Sequence, residues 1–185
     1  MTAVYPETAE TDVFSAARAQ VAAMESHLRS ATALAATHAE LEAYVGREGR
    51  ELQRLLLQGH LQLRGAQETR VEVRGADGVR RGYGRASARP LTSIFGSVSV
   101  LRLAYQREGV EGLHPMDAAL NLPEELHSHG VRRLVAEHVA RSSFAETTTI
   151  VVQSIGATLA KRQVEQLAVR AAQDFERPST KCGRR

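Results

Sequence analysis

An α+β fold, mainly helical, is predicted by three features of this 185-residue sequence. It has amino-terminal long helices, a central antiparallel β-unit, and a carboxy-terminal three-helix bundle with a helix-turn-helix-like unit. Apolar residues step by three and four early in the chain and again after His127, the spacing of a helix stripe. Between those regions the step falls to two around Asp77-Gly78, the pattern of a β-hairpin. The chain has 28 alanines, no tryptophan, four Phe and four Tyr, so its core should rest on small helix contacts more than on large rings.

Phe14, Ala17, Val21, Met24 and Leu28 form the first helical stripe. Thr37 and Glu40 read as a capping box ahead of a second, through Leu41, Val45, Leu52, Leu55 and Leu56, which should run to about Leu63. Inside a helix Gly46, Gly49 and Gly59 each cost about 1 kcal/mol relative to Ala, so close helix packing is the expected reason for them. Residues 1–66 are thus expected to be a helical hairpin or dimerisation region, with an acidic, polar start.

Gly65 ends that helix. Val71 and Val73 alternate with Arg70, Glu72 and Arg74, a turn follows from Gly75 to Gly78, and a second strand should span 79–85. After Pro90 come Ser93 to Phe95, a Gly96-Ser97 turn, and an apolar run of Val98, Val100, Leu101 and Leu103 to Tyr105. The outward faces of this unit are expected to carry Arg80, Arg81, Arg85, Arg89, Arg102 and Arg107. Gly109, Gly112, Pro115 and Pro123 make 108–126 a loop with one helical turn around Ala118. The β-unit and loop together form the segment 67–126.

The next domain, 127–176, opens with a helix marked by Val131, Leu134, Val135 and His138. Ser143 can cap a second helix containing Phe144, Thr148, Val151 and Val152, which Gly156 ends. A third should run from about Ala160 to Phe175 with Val164, Leu167, Ala168 and Ala171 inward. Residues 177–185 form a basic tail.

The net charge of +3 hides a segregated pattern. Residues 51–110 carry 10 basic and 5 acidic side chains and residues 161–185 carry 7 and 3, whereas the other two stretches are acidic. Of the 24 cations 22 are arginine, the better bidentate phosphate binder, so a polyanion is the expected partner. The one cysteine, Cys182, excludes an internal disulfide and a cysteine zinc site and fits a reducing compartment. No apolar run reaches the roughly 18 residues a membrane span needs, so a cytoplasmic protein without a membrane partner is expected.

No catalytic residue, metal site or cofactor is assigned. Asp77, Asp117 and Asp174 lie in no alternating strand and helix pattern that would gather them around a divalent ion. His114, His127, His129 and His138 with Glu124 and Glu125 match no zinc spacing, and Gly82 and Gly84 lack the strand-to-helix context of a dinucleotide loop.

Two short helices joined at Gly156, the second opening Lys161-Arg162-Gln163, have the sequence form of a helix-turn-helix. In that motif the first residues of the second helix enter the major groove, where Arg reads guanine and Gln reads adenine. The DNA-binding candidates are therefore Lys161, Arg162, Gln163, Gln166 and Arg170 on that helix. Arg80, Arg81, Arg85 and Arg89 join them as phosphate contacts on the β-unit. The competing readings are a three-helix bundle with a solvated basic face and a solvated β-face.

The stretch from Gly46 to Phe175 resembles the amino-terminal half of bacterial insertion-sequence transposases of the ISKra group. The resemblance is carried by the run from Glu51-Leu52-Gln53-Arg54 to His60-Leu61, by Gly75-Ala76-Asp77-Gly78-Val79, and by Phe95-Gly96-Ser97-Val98. It continues in Leu113-His114-Pro115, Ala118-Ala119-Leu120-Asn121-Leu122-Pro123, His127-Ser128-His129-Gly130 and Lys161-Arg162-Gln163-Val164-Glu165. It implies a DNA-transposing enzyme whose front half helps recognise element ends and whose later half is an RNase-H-like domain with three acidic metal ligands. None of those ligands carries over to this chain. After Asp174-Phe175-Glu176 the similarity gives way to the basic tail, which looks like a frameshift or truncation. The expectation is a non-enzymatic, DNA-binding part of a truncated transposase. Its partners would be double-stranded DNA at the terminal inverted repeat, together with a second copy or full-length transposase. The alternative is a protein-interaction module that pairs with full-length transposase and inhibits it.

Overall fold

The two amino-terminal helices pair with each other, but Val21, Leu28, Val45 and Leu56 of the expected stripes stay exposed. In the computed structural model, which describes residues 12–82 and 84–176 with side chains through Gln173, the first stripe is α1 (Ser15–Leu28). A one-turn α2 (Ala31–Leu34) follows, capped by Ser30, and the second stripe lies on α3 (His38–Ala66). The expectations for residues 1–11, Tyr83, Cys182 and the tail 177–185 lie outside the described residues, as does the side chain of Asp174. The capping box forms: the Thr37 hydroxyl oxygen accepts from the Glu40 amide and the Glu40 carboxylate accepts from the Thr37 amide. Together these satisfy two backbone donors that a helix start leaves without intrahelical acceptors.

α1 and α3 run antiparallel. The Gln20 amide donates to the Glu48 carboxylate at 2.9 Å, His27 stacks on Tyr44 at 4.0 Å, and Phe14 lies over Gly59. A Cβ at Gly59 would stand 2.6 Å from the Val13 carbonyl oxygen and 2.8 Å from the Phe14 ring, so this glycine lets the start of α1 seat against α3. Gly46 and Gly49 have open space at that position, and the expectation of close packing fails for both. Gly46→Ala and Gly49→Ala should therefore each stabilise the chain by up to about 1 kcal/mol through helix propensity. Gly59→Ala should destabilise it in spite of the same gain. Thermal unfolding followed by circular dichroism compares the three, and equal gains at all three sites would show that α1 does not seat on Gly59.

The chain divides into two compact units, residues 1–69 and 70–185. In the second, the Asp77-Gly78 hairpin joins β1 (Val73–Arg74) to β2 (Arg80–Arg81), with Gly78 in the left-handed region at φ 73°. The chain then builds an antiparallel sheet of order β3-β4-β5 from β3 (Gly84–Ser93), β4 (Gly96–Arg107) and β5 (Val110–Leu113). The reversal between β3 and β4 is at Ile94-Phe95, two residues earlier than the sequence suggests. The strand β5 lies inside the segment expected to be a loop, because Gly109, at φ 73°, turns the chain back along β4.

The strand expected over 79–85 is split between β2 and the start of β3, and Pro90 sits inside β3. Thr92, two residues on, sends its amide to the Leu126 carbonyl and its carbonyl to the Ser128 amide, away from β4. By the two-residue alternation of an antiparallel ladder, Pro90 also faces away from β4, where its missing N–H breaks no bond of the β3–β4 ladder. The loop after β5 holds the short α4 (Pro115–Ala119), with proline at the start of the helix.

Three helices complete the unit: α5 (His129–Val139), α6 (Phe144–Ile155) and α7 (Lys161–Glu176). Ser128 caps α5, Ser143 caps α6, and Gly156 ends α6 at φ 64°. Val131, Val135, Val151, Ile155, Leu159, Val164 and Leu167 bury together as their shared core. Leu159 belongs to the turn between α6 and α7. It anchors that turn in the core, which accounts for a connection longer than the tightest helix-turn-helix. The fold is α+β and mainly helical, with antiparallel strands.

Candidate nucleic-acid interface

Strand parity decides where the β-unit arginines go. Leu91, Val98 and Val100 bury one face of β3–β4, so Arg89, two residues from Leu91, and Arg102, two from Val100, share that inward face. The opposite face carries Ala86, Ala88, Pro90, Ser97, Ser99 and Leu101, all exposed and none charged. Of the six arginines expected to face outward, Arg80, Arg85 and Arg107 are exposed, whereas Arg81, Arg89 and Arg102 are turned inward.

Arg89 is buried. Its guanidinium donates to the Asp117 carboxylate at 3.1 Å and to the carbonyls of Pro123, Glu124 and Glu125, tying the loop after α4 to the sheet. Arg102 pairs with the same Asp117. Burial, together with the charges of Arg102 and Arg89, holds His114 below the usual imidazole range.

Arg81 is also buried, at 1% exposure. It donates to Asp77 at 2.7 Å and to the carbonyls of Glu111 and Val79, so it fastens the β1–β2 turn to β5. Its hydrogen bond, followed by that from the Val79 amide, lowers the Asp77 carboxyl to about 2. Arg81 and Arg89 are therefore corrected from phosphate contacts to internal fasteners, because guanidinium groups with their donors committed indoors cannot reach a backbone phosphate. Arg80 and Arg85 remain exposed, Arg80 in an ion pair with Glu72 at 3.2 Å.

On α7 the predicted residues separate into two groups. Ala160 offers no capping side chain, and the Gln163 side-chain oxygen instead accepts from the Ala160 amide at 2.9 Å. Gln163 thus caps its own helix from the third position through its side-chain oxygen. Arg170 donates to Glu125 at 2.5 Å. The other oxygen of Glu125 accepts from Arg132 of α5, so one half-buried carboxylate joins the loop to both α5 and α7. Burial works against ionisation of Glu125, but its own backbone amide, the Arg132 hydrogen bond and the two arginine charges outweigh it and hold the carboxyl below its ordinary value.

Lys161, Arg162 and Gln166 remain exposed, Lys161 standing 4.0 Å from Glu165. Beside them is Val169, an exposed apolar residue that sequence reasoning passed over. Its signal was legible: position 169 lies off the stripe of Val164, Leu167 and Ala171. Together with Arg162, Glu165, Arg170 and Gln173, Gln166 and Val169 line a shallow depression along the helix. Asp117, Glu125 and the arginines around them carried no motif, since they meet across chain separations of 7 to 45 residues that follow no regular spacing. Among the described residues no three metal-ligating side chains converge, and no helix is long and apolar enough to cross a membrane. No protein-family model matches the chain, and no curated protein or solved structure shows significant similarity to it.

Proposed function

We propose that this chain binds duplex DNA through α7, as an end-recognising segment of an ISKra-type insertion-sequence transposase, acting in the cytoplasm. The observation that carries the reading is the exposed face of α7. The third helix of a trihelical unit, and the second of its helix-turn-helix-like pair, is held by a valine and leucine core shared with α5 and α6 and presents Lys161, Arg162 and Gln166 to solvent. In a helix-turn-helix that helix enters the major groove. The reading assigns this segment binding and leaves the chemistry of strand transfer elsewhere.

Selection from a random duplex library, followed by mobility shift at two salt concentrations, tests it. Arg162→Ala should cost about 1–3 kcal/mol on the selected site and relax one base position. Arg85→Ala should weaken selected and scrambled duplexes alike and lower the salt slope by about one unit. Small, equal losses on both duplexes for both variants would leave only a solvated basic face.

A second reading, a protein-interaction module, is favoured by the helices of residues 12–69. Val45, Leu52, Leu56 and Leu63 fall within about 40° of one another around α3. Val45 and Leu56 are exposed there, as are Val21 and Leu28 of α1 and Leu34 of α2. Such a surface suits another copy of the same helices or full-length transposase. On this reading the chain sediments as a dimer and Val45→Glu with Leu56→Glu returns it to monomer. A wild-type monomer at high protein concentration removes the reading.

A further inference from the structure

We infer that Val169, flanked on one stripe of α7 by Gln166 and Gln173, selects the target sequence by packing its methyl groups against a thymine C5-methyl in the major groove. This rests on the DNA reading above and assigns its discriminating residues. Arg162, Gln166, Val169 and Gln173 are spaced by four, three and four, which puts them within about 60° around the helix. All four are exposed, Val169 by 59%.

Neither folding nor helix formation accounts for valine at this position. Its side chain is not part of the core, and a β-branched residue is a poorer helix former than the Gln, Lys or Ala found around it. What the stripe does fit is a groove edge. Arginine offers only donors and suits guanine, glutamine offers a donor and an acceptor and suits adenine, and an apolar side chain suits the thymine methyl. Lys161 and Arg162 supply positive charge at one end, and the single carboxylate on the depression, Glu165, stands against Lys161. From Arg162 to Gln173 the stripe spans about 16 Å at 1.5 Å per residue, close to five base pairs. The expected half-site is therefore a G·C pair followed within about five base pairs by A·T pairs, one of them presenting its thymine to Val169.

Replacing each thymine of the selected site by deoxyuridine, one at a time, removes only the methyl group. For the full wild-type chain one such replacement should weaken binding about fourfold, the equivalent of roughly 0.8 kcal/mol for one methyl group leaving an apolar contact. Val169→Ala should bind the thymine site correspondingly less well and no longer distinguish it from that deoxyuridine site. The variant's exposed position makes a folding defect an inadequate explanation, and its circular dichroism checks this. If no deoxyuridine replacement matters, or if Val169→Ala still discriminates, Val169 is not the reader, while sequence-specific binding that persists leaves the DNA reading standing. If selection returns no preferred sequence, both fail.

Discussion

Arg89→Met should destabilise the unit of residues 70–185 by about 3–5 kcal/mol, the cost of leaving partners of a buried ion pair uncompensated. Methionine fills much of the same volume but offers no donor. Asp117 would keep only Arg102, and the carbonyls of Pro123, Glu124 and Glu125 would each lose the guanidinium that now satisfies them. Buried acceptors left unpaired carry their full desolvation cost. Urea unfolding of the full chain should show this loss at any salt concentration. The variant distinguishes two roles: a phosphate contact would lower DNA affinity in a salt-sensitive way and leave stability alone. A stable Arg89→Met protein with a shallower salt slope would reverse the internal assignment.

Glu125→Ala should cost about 3 kcal/mol or more, nearly all of it through Arg132, whose side chain is as enclosed as the carboxylate itself, 13% exposed in each case. The pair with Arg170 adds at most about 1 kcal/mol, because that arginine is half exposed and screened by solvent. Glu125→Gln should be milder, since the amide oxygen still accepts from Arg132. The pH dependence follows from the direction of the shift. With its folded-state pKa below the ordinary 4.5, Glu125 stabilises the protein fully above that value and progressively loses this contribution as pH falls through the lowered one. The stability gap between wild type and Glu125→Gln should thus be constant from neutrality to about pH 5 and close on further acidification. A gap that widens in acid would mean that Glu125 is not the ionised partner of these arginines.

The helical parts of this chain were legible because their signals are local. The helix of the Phe14 to Leu28 stripe, the capping box at Thr37, the caps at Ser143 and Gly156, and the inward set Val164, Leu167 and Ala171 each reside within a few turns of sequence, and each element appears where the spacing places it. The Asp77-Gly78 hairpin was local in the same sense. Sheet register was not. Pro90 is compatible with a strand only because β3 is an edge, and the edge exists only once β4 and β5 have paired on the other side.

The same distinction separates the site residues. Sequence by itself determined the α+β class, the trihelical end and the basic, amide-bearing opening of α7. Tertiary structure decided which cations are available. Arg81 and Arg85 look alike in a string of letters, yet one is enclosed by Asp77 and two carbonyls while the other is exposed. The Gln163 side-chain oxygen caps α7 because Ala160 offers no cap, and Arg170 meets Glu125 across 45 residues. An arginine is a phosphate contact or an internal fastener according to which acceptors fall within about 3 Å of its guanidinium, and chain crossings set that, not local spacing.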